Sequence, residues 1–413
     1  MSATLEAPPR VAQAAALRPD FAEHPYPTYA LWRSQGPLLW SDAFFGGAWL
    51  LTRHADVEAA LRDPRLSAQR TGGWVMAAAE GQRSEFLPFQ RLFARAMLFL
   101  DAPDHTRLRR VLQAAFRPEA LAPLQPWLES LLRAHMQAHA DAGTFDFMAA
   151  VARPVPARVI TRLLGAPDSM SDDFMRWCED LAVFIGAHAP QPHHIRPAQR
   201  SLLQMCDYFE RDLLPQRRRH PQNDLASLLL QAEARGDVAA GAELLAQCAM
   251  LLFAGYETTR NLLGNAVHAL LSHPEQWQRL CERPDLAASA VRELLRYDSP
   301  VQWTGRRATC TLHWHGQTIE RGDLVLPLIG SANRDPERHA CPDRLDIERP
   351  QPGALSFGSG PHVCLGAWLT QLEGQTVLRL LAQHWPGLRL AGEPRRNGNP
   401  LYRGWQYLPL TVA

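Results

Sequence analysis

The segment Phe357-Gly358-Ser359-Gly360-Pro361-His362-Val363-Cys364-Leu365-Gly366 places one cysteine among three glycines. Glycines this close together let a backbone turn tightly and approach a flat ligand. The apolar run over 367–382 that follows reads as a helix, so Cys364 stands at a helix start. There the dipole and the free N–H groups favour a thiolate over a thiol. A thiolate among backbone donors suits a soft metal ion with one axial position to fill. A buried structural cysteine beside a turn is the other reading, and Cys364 taken alone favours it, since a free cysteine usually serves as a small buried apolar residue.

A second stretch, Ala254-Gly255-Tyr256-Glu257-Thr258-Thr259, lies at the centre of a helix expected over 240–272. That helix is apolar on nearly all sides (Leu244, Leu245, Met250, Leu251, Leu252, Phe253), so it must run through the middle of a large helical protein. Glycine costs about 1 kcal/mol in a helix interior, and a buried carboxylate costs more unless it is used or paired. Ala254 and Gly255 let a large group approach the backbone. Thr258 can bond back to a carbonyl and open the helix locally. Together they read as a groove with an acid and an alcohol beside it; a kinked helix with a paired glutamate is the alternative.

Cations come next. His105 and Arg109 are four apart and share one face of a helix that opens at Pro103 or Asp104 and closes at Pro118. They could clamp two carboxylates or form a solvated basic face. Glu293 and Arg296, three apart on a helix over 285–298, can pair.

The elements that position these groups follow from periodicity and breakers. Residues 1–24 read as a loose tail. Helices are expected at 25–35, with Tyr26, Leu31 and Trp32 on the apolar side, and at 54–63. A strand is expected at 48–52. Residues 65–100 carry glycines and the aromatics Trp74, Phe86, Phe89, Phe93 and Phe99 without a clean period, which reads as a loop or lid. Helices dominate 119–298, broken near Gly143, Ala166-Pro167, 187–197 and 221–224. His193 and His194 are read as loop residues. Residues 300–328 read as short antiparallel hairpins, Asn333 starts a short helix, and 386–413 form a small sheet. The fold class is mainly α with small antiparallel β-sheets.

Composition narrows the chemistry. The chain has 413 residues, is 46% hydrophobic and carries a net charge of +1. That is ample for a core and gives no reason to expect a nucleic-acid partner. Seven scattered cysteines (178, 206, 248, 281, 310, 341, 364) with no CxxC pair argue against a disulfide framework or a four-cysteine metal site. No run reaches transmembrane length, and a soluble cytoplasmic protein is expected. The sequence contains no lysine. A P-loop or a Schiff base by the usual route is therefore ruled out.

In this order, these features resemble the cytochrome P-450 family of haem-thiolate monooxygenases. The resemblance runs from about residue 25 to the end, as one domain over 25–413. The Cys364 loop meets the family pattern at each fixed position: Phe357, Gly358, Gly360, His362, Cys364 and Gly366. The resemblance implies haem b, held axially by Cys364, with its propionates on His105, Arg109, Arg306 and His362. It makes Ala254, Gly255, Glu257 and Thr258 the oxygen-activation stretch, with Thr258 holding water and Glu257 linking that water to solvent. It also implies a structural triad of Glu293, Arg296 and Arg344, with Leu345 where the family usually has Phe.

By the same resemblance the activity is O2-dependent monooxygenation of a small or medium, mostly apolar substrate. Electrons would come from NAD(P)H through a ferredoxin and its reductase. The ferredoxin would dock on the Cys364 face, with Arg107, Arg110 and Arg117 as docking charges. No membrane insertion is expected, nor any oligomer beyond a monomer. Candidate pocket residues are Trp74, Phe86, Phe89, the 182–190 segment, Phe253, Gln302, Trp303 and Tyr402 with its turn. The substrate could be free or tethered to a carrier protein. A peroxide-driven peroxygenase and a non-catalytic haem-binding protein are the alternatives. An intact Glu257 and Thr258 argue against both.

Overall fold

The computed structural model describes residues 19–77, 80–139, 143–350 and 353–412. Helices of nine or more residues are numbered α1 (Pro25–Gln35), α2 (His54–Arg62), α3 (Arg83–Phe93), α4 (Asp104–Gln113), α5 (Leu124–Gln137), α6 (Pro154–Leu164), α7 (Ser171–Ile185), α8 (Pro192–Tyr208), α9 (Leu225–Ala234), α10 (Ala242–Leu271), α11 (Pro274–Glu282), α12 (Ala287–Tyr297) and α13 (Ala367–His384).

The axis is α10. Its 30 residues span about 45 Å at 1.5 Å per residue. It packs against α6, α7, α12 and α13, which is why its sequence is apolar all round. Gly255 serves this packing: a Cβ there would come 2.8 Å from Ile160 Cδ1 on α6. The α13 helix begins directly after the cysteine loop and packs on α10 and α12. Gly374 permits that contact, since a Cβ would lie 3.0 Å from Val291 Cγ2. The Cys364 loop and the middle of α10 are thus held on opposite sides of one space.

A five-stranded sheet flanks the helices. It runs β1 (Leu38–Ser41), β2 (Ala48–Leu51), β8 (Leu324–Pro327), β5 (Arg306–Ala308), β3 (Leu66–Ser67). The expected hairpins over 300–328 are present as β5, β6 (Leu312–Trp314), β7 (Gln317–Ile319) and β8. One pairing lies beyond local reading: β2 and β8 are parallel, with Trp49 opposite Val325. This pair ties the N-terminal strands to the segment carrying Arg306. At the C-terminal end, β12 (Pro409–Thr411) pairs with β4 (Phe145–Asp146) and β9 (Arg389–Leu390), while β11 (Trp405–Tyr407) pairs with β10 (Arg395–Arg396).

Several local expectations are corrected. A short helix, Pro19–Glu23, stands inside the expected tail; residues 1–18 lie outside the described residues. On α1, Tyr29 and Trp32 are buried, whereas Leu31 is 53% exposed. The 65–100 segment is largely helical, with Gly72–Ala77 and α3. Phe86, Phe89 and Phe93 are three and four apart, a helical spacing obscured by Pro88 within the helix. The α8 helix starts at Pro192 and absorbs His193 and His194, because proline is suited to the first helical position. The short helix near Asn333 is Ile329–Ala332, so it ends there instead of starting. Asn333 is occupied otherwise: its Nδ2 donates to Ser299 and Ser356, and its Oδ1 accepts from the Leu355 N–H. Among the described residues, no helix is long and apolar enough to cross a membrane.

Candidate active site

A cavity of about 340 Å³ separates the Cys364 loop from α10. Phe357, Gly358, Cys364, Gly366 and Leu369 form one wall; Phe253, Ala254, Gly255 and Thr258 face it. Gly358 and Gly360 both have φ of +73°, a region that favours glycine. At Gly360 a side chain is also excluded by space, since a Cβ would lie 2.9 Å from the Leu61 carbonyl oxygen. The Cys364 N–H donates to the Phe357 carbonyl at 2.8 Å, and the Gly358 N–H to Leu355 at 2.7 Å. These bonds close the loop with the Cys364 thiol on the cavity wall. Burial pushes that thiol up; the Gly366 N–H and Arg109 pull it back.

Five basic side chains line one edge: Arg70, His105, Arg109, Arg306 and His362. The His105 and His362 rings lie 4.0 Å apart. Arg109 Nη1 donates to the Val363 carbonyl at 2.8 Å, and Arg306 Nη1 to the Gly305 carbonyl at 2.8 Å. None of the five forms an ion pair among the described residues. His105 Nε2 is buried without a hydrogen-bond partner. Burial, then Arg109, lowers the His105 pKa. Burial, then His105 and the neighbouring arginines, lowers that of His362 to about 3. Arg306 is lowered to about 10 by burial, and Arg70 to about 9 by burial and by Arg306. Crowded, enclosed cations without anions are costly, so this edge is arranged for an anionic group.

On α10, Thr258 Oγ1 donates to the Ala254 carbonyl at 3.1 Å. Glu257, next along the helix, is turned away from the cavity. Its Oε1 accepts from Arg260 at 3.0 Å and Asn261 at 2.9 Å, while its Oε2 is buried and unpartnered. Burial raises its pKa to about 7 against the pull of Arg260. Arg260 also donates to Glu179 on α7 at 2.9 Å, and Glu179 accepts from Tyr256 at 2.9 Å and from Arg153. Glu257 is therefore connected outward through charged side chains.

Beneath the cysteine loop, Arg296 makes two 2.8 Å hydrogen bonds to Glu293. The third member expected, Arg344, is not in this group. Its side chain is 70% exposed and pairs with Asp346; only its carbonyl accepts from Arg296. Arg349 takes the place, its Nε lying 3.0 Å from Glu293 Oε1. The Asp346 N–H also donates to that oxygen at 3.1 Å. The chain needs five further residues after Arg344 to turn back under the loop.

Of the pocket residues expected from sequence, Trp74, Phe253, Trp303 and Tyr402 line the cavity, as does Ile185 of the 182–190 segment. Phe86 and Phe89 do not. They are buried against Phe184, at ring distances of 5.8 and 4.8 Å. Gln302 is also internal and donates to the Ser299 carbonyl at 2.7 Å. Arg107 pairs with Glu243 and Asp104, and the exposed Arg110 with Asp237; Arg117 is exposed. Sequence reasoning missed Arg70, Leu98, Val301 and Leu401 on the cavity wall. Only Arg70 offered a signal, as a charge inside a Gly- and aromatic-rich stretch.

The cytochrome P-450 family model matches residues 78–285 and 282–386, and the chain belongs to that family. It is 37% identical over 398 residues to the vitamin D(3) 25-hydroxylase of Pseudonocardia autotrophica, covering 95% of each chain. It resembles the solved structure of cytochrome P-450 BioI in complex with a hexadec-9Z-enoic acid ligated acyl carrier protein, with a TM-score of 0.87 and 33% identity. That match covers 95% of this chain and 99% of the other. A myxobacterial cytochrome P-450 in complex with myristic acid matches with a TM-score of 0.88 and 32% identity, covering 97% and 100%. The protein is a haem-thiolate monooxygenase of bacterial type. It uses haem b and O2, with electrons from NAD(P)H through a ferredoxin and its reductase.

Proposed function

We propose that the cavity between the Cys364 loop and α10 is the haem seat and substrate chamber of this monooxygenase, with the Cys364 sulfur as the group that would hold the iron. The observation that carries this reading is the pairing of one accessible thiol on the floor with a row of anion-less cations at the edge. Among the described residues, no group of three or more His, Cys, Asp or Glu could hold a metal, which fits a metal brought in by a macrocycle with one protein donor. The unpartnered His105 Nε2 fits a propionate acceptor, as do Arg109, Arg306 and His362. At Gly358 the nearest atom to an added Cβ is 3.8 Å away, and at Gly366 there is none within 4 Å. Both leave room for a flat group against the backbone.

Haem, when bound, supplies the iron that binds O2 and makes it able to attack a C–H bond. The residues do the rest. The Gly366 N–H would steady the negative charge of the Cys364 sulfur. The Thr258 hydroxyl, on the opposite wall, would hold a water and relay protons into the cavity. Glu257, poised near neutrality, would take up and release the protons that replace those. Trp74, Phe253 and Ile185 would exclude bulk water and hold an apolar substrate.

An apolar, medium-sized substrate is favoured by these walls, either free or bound to a carrier protein. The two fatty-acyl relatives support the same size class. A ferredoxin is inferred to approach the Cys364 side, and a cytoplasmic location fits the reducing conditions a ferredoxin needs. The test is Cys364→Ser. The wild-type reduced CO complex should show the Soret band typical of thiolate ligation, and the variant should lose it together with turnover. If the band survives in the variant, Cys364 is not the ligand. Turnover with a ferredoxin system should also exceed turnover driven by peroxide alone.

A further inference from the structure

We propose that Arg70 and the Tyr402 hydroxyl form a subsite for a carboxylate on the substrate, so that the enzyme takes apolar acids by their anionic end. This rests on the haem seat argued above and concerns the space beside it.

Arg70 is fixed in place from several directions. Its guanidinium lies over the Phe99 ring, 4.6 Å from the centroid. Its Nη1 donates to the Ala68 carbonyl at 3.1 Å and, more loosely, to Leu98 at 3.5 Å. Gly305 makes the position possible, since a Cβ there would come 2.7 Å from Arg70 Cδ. The other N–H groups have no described acceptor. Although enclosed by protein, Arg70 keeps accessible surface because it lines the cavity. The acid acting on it through space, Asp101, is held by the Ser67 hydroxyl and the Ala68 N–H. An enclosed guanidinium with unused donors and no anion in contact lacks its partner.

Tyr402 lies against the same space. It packs edge-on to Phe253 at 5.6 Å, and its hydroxyl bonds to no described residue. Arg70 is near enough to act on the phenol electrostatically. A carboxylate matches the planar donor face of an arginine and can accept a second bond from a phenol.

Arg70 stands within electrostatic reach of Arg306 and His362, but the haem seat proposed above does not require it. The two haem propionates already have four donors in His105, Arg109, Arg306 and His362. Arg70 is the fifth, and it shares the cavity with the apolar side chains of Trp74, Leu98, Ile185, Val301 and Leu401. A charge among apolar side chains describes an apolar acid. A chain esterified to a carrier has no carboxylate to offer it.

The holoenzyme should be titrated calorimetrically with dodecanoic acid and with dodecan-1-ol. Wild type should bind the acid about tenfold or more tightly than the alcohol. Arg70→Gln should bring the two within about threefold while keeping haem content, and Tyr402→Phe should weaken the acid by about threefold. Arg70→Lys, which keeps the charge, should retain part of the preference and covers the case in which the glutamine variant does not fold. Equal binding of the two probes by wild type, binding of neither, or an unchanged ratio in Arg70→Gln would overturn the subsite. So would loss of haem from Arg70→Gln and Arg70→Lys, which would assign Arg70 to a propionate. A wild type without a thiolate-type CO band would instead overturn the haem seat; a normal band without acid preference removes only the subsite.

Discussion

Glu293 and Glu257 each stand three residues before an arginine on a buried helix, and each pairs with it at 2.8–3.0 Å. In sequence the two pairs are alike; in the structure they do opposite things. Glu293 engages Arg296 with both oxygens and also accepts from Arg349 and the Asp346 N–H. Arg296 in turn donates to the carbonyls of Asn333 and Pro342. Three stretches of chain meet on that pair: the helix itself, Asn333 and the 342–349 segment. Glu257 places both of its partners on one oxygen and leaves the other buried and bare. A buried carboxylate left half-filled sits near the balance between its protonated and ionised forms. Tertiary surroundings, not spacing, separate the fully partnered carboxylate from the half-partnered one.

Substitutions at and around the two glutamates should separate their roles. The largest effect is expected from Arg296→Ala, which leaves Glu293 buried without its main partner. Stability should fall by about 3–5 kcal/mol, read by denaturant unfolding, and haem content should fall with it. Thr258→Ala and Glu257→Gln should leave the fold and haem intact but lower product formation by about 100-fold. In both, NADPH consumption should outrun product; tight coupling in either variant would remove that residue from proton handling.

A pH effect of intermediate size should follow from Glu257. Its folded pKa, about 7, lies above its unfolded value. The folded state therefore binds more protons between roughly pH 4.5 and 7, and wild-type stability drops as pH rises through that window. Glu257→Gln lacks this loss. Its stability relative to wild type should rise by on the order of 1–3 kcal/mol between pH 5 and pH 8. A constant difference in unfolding free energy across that range would show that Glu257 does not titrate there. The smallest effect is expected from Arg344→Ala, within about 0.5 kcal/mol as for most exposed positions. Arg349→Ala should cost more, about 1–3 kcal/mol. Equal losses would restore Arg344 to the network.

The sequence made the ends of this architecture legible and left its middle obscure. The Cys364 loop, the extent of α10 and the His105–Arg109 face could be read because each depends on local rules: glycine turns, helical periodicity and i,i+4 spacing. The 65–100 segment could not, because glycines and Pro88 interrupt a period that α3 nonetheless follows. Arg349 was missed since a structural pair three residues apart says nothing about which distant arginine completes it. Phe86 and Phe89 were placed on the cavity and proved internal, for an aromatic side chain looks the same in a core and in a pocket. Arg70 acquired meaning only when Gly305, Phe99 and Tyr402, far apart in the chain, were seen around it.

Glu179 on α7 gathers Tyr256, Arg153 and Arg260. Through it, α7 holds Arg260, which in turn holds Glu257. The same helix ends at Ile185 on the cavity wall. A movement of α7 that admits or releases a ligand would therefore also change the electric field at Glu257. Occupancy of the chamber and readiness of the acid would then be set by one mechanical element, and an empty enzyme would be slow to spend reducing equivalents.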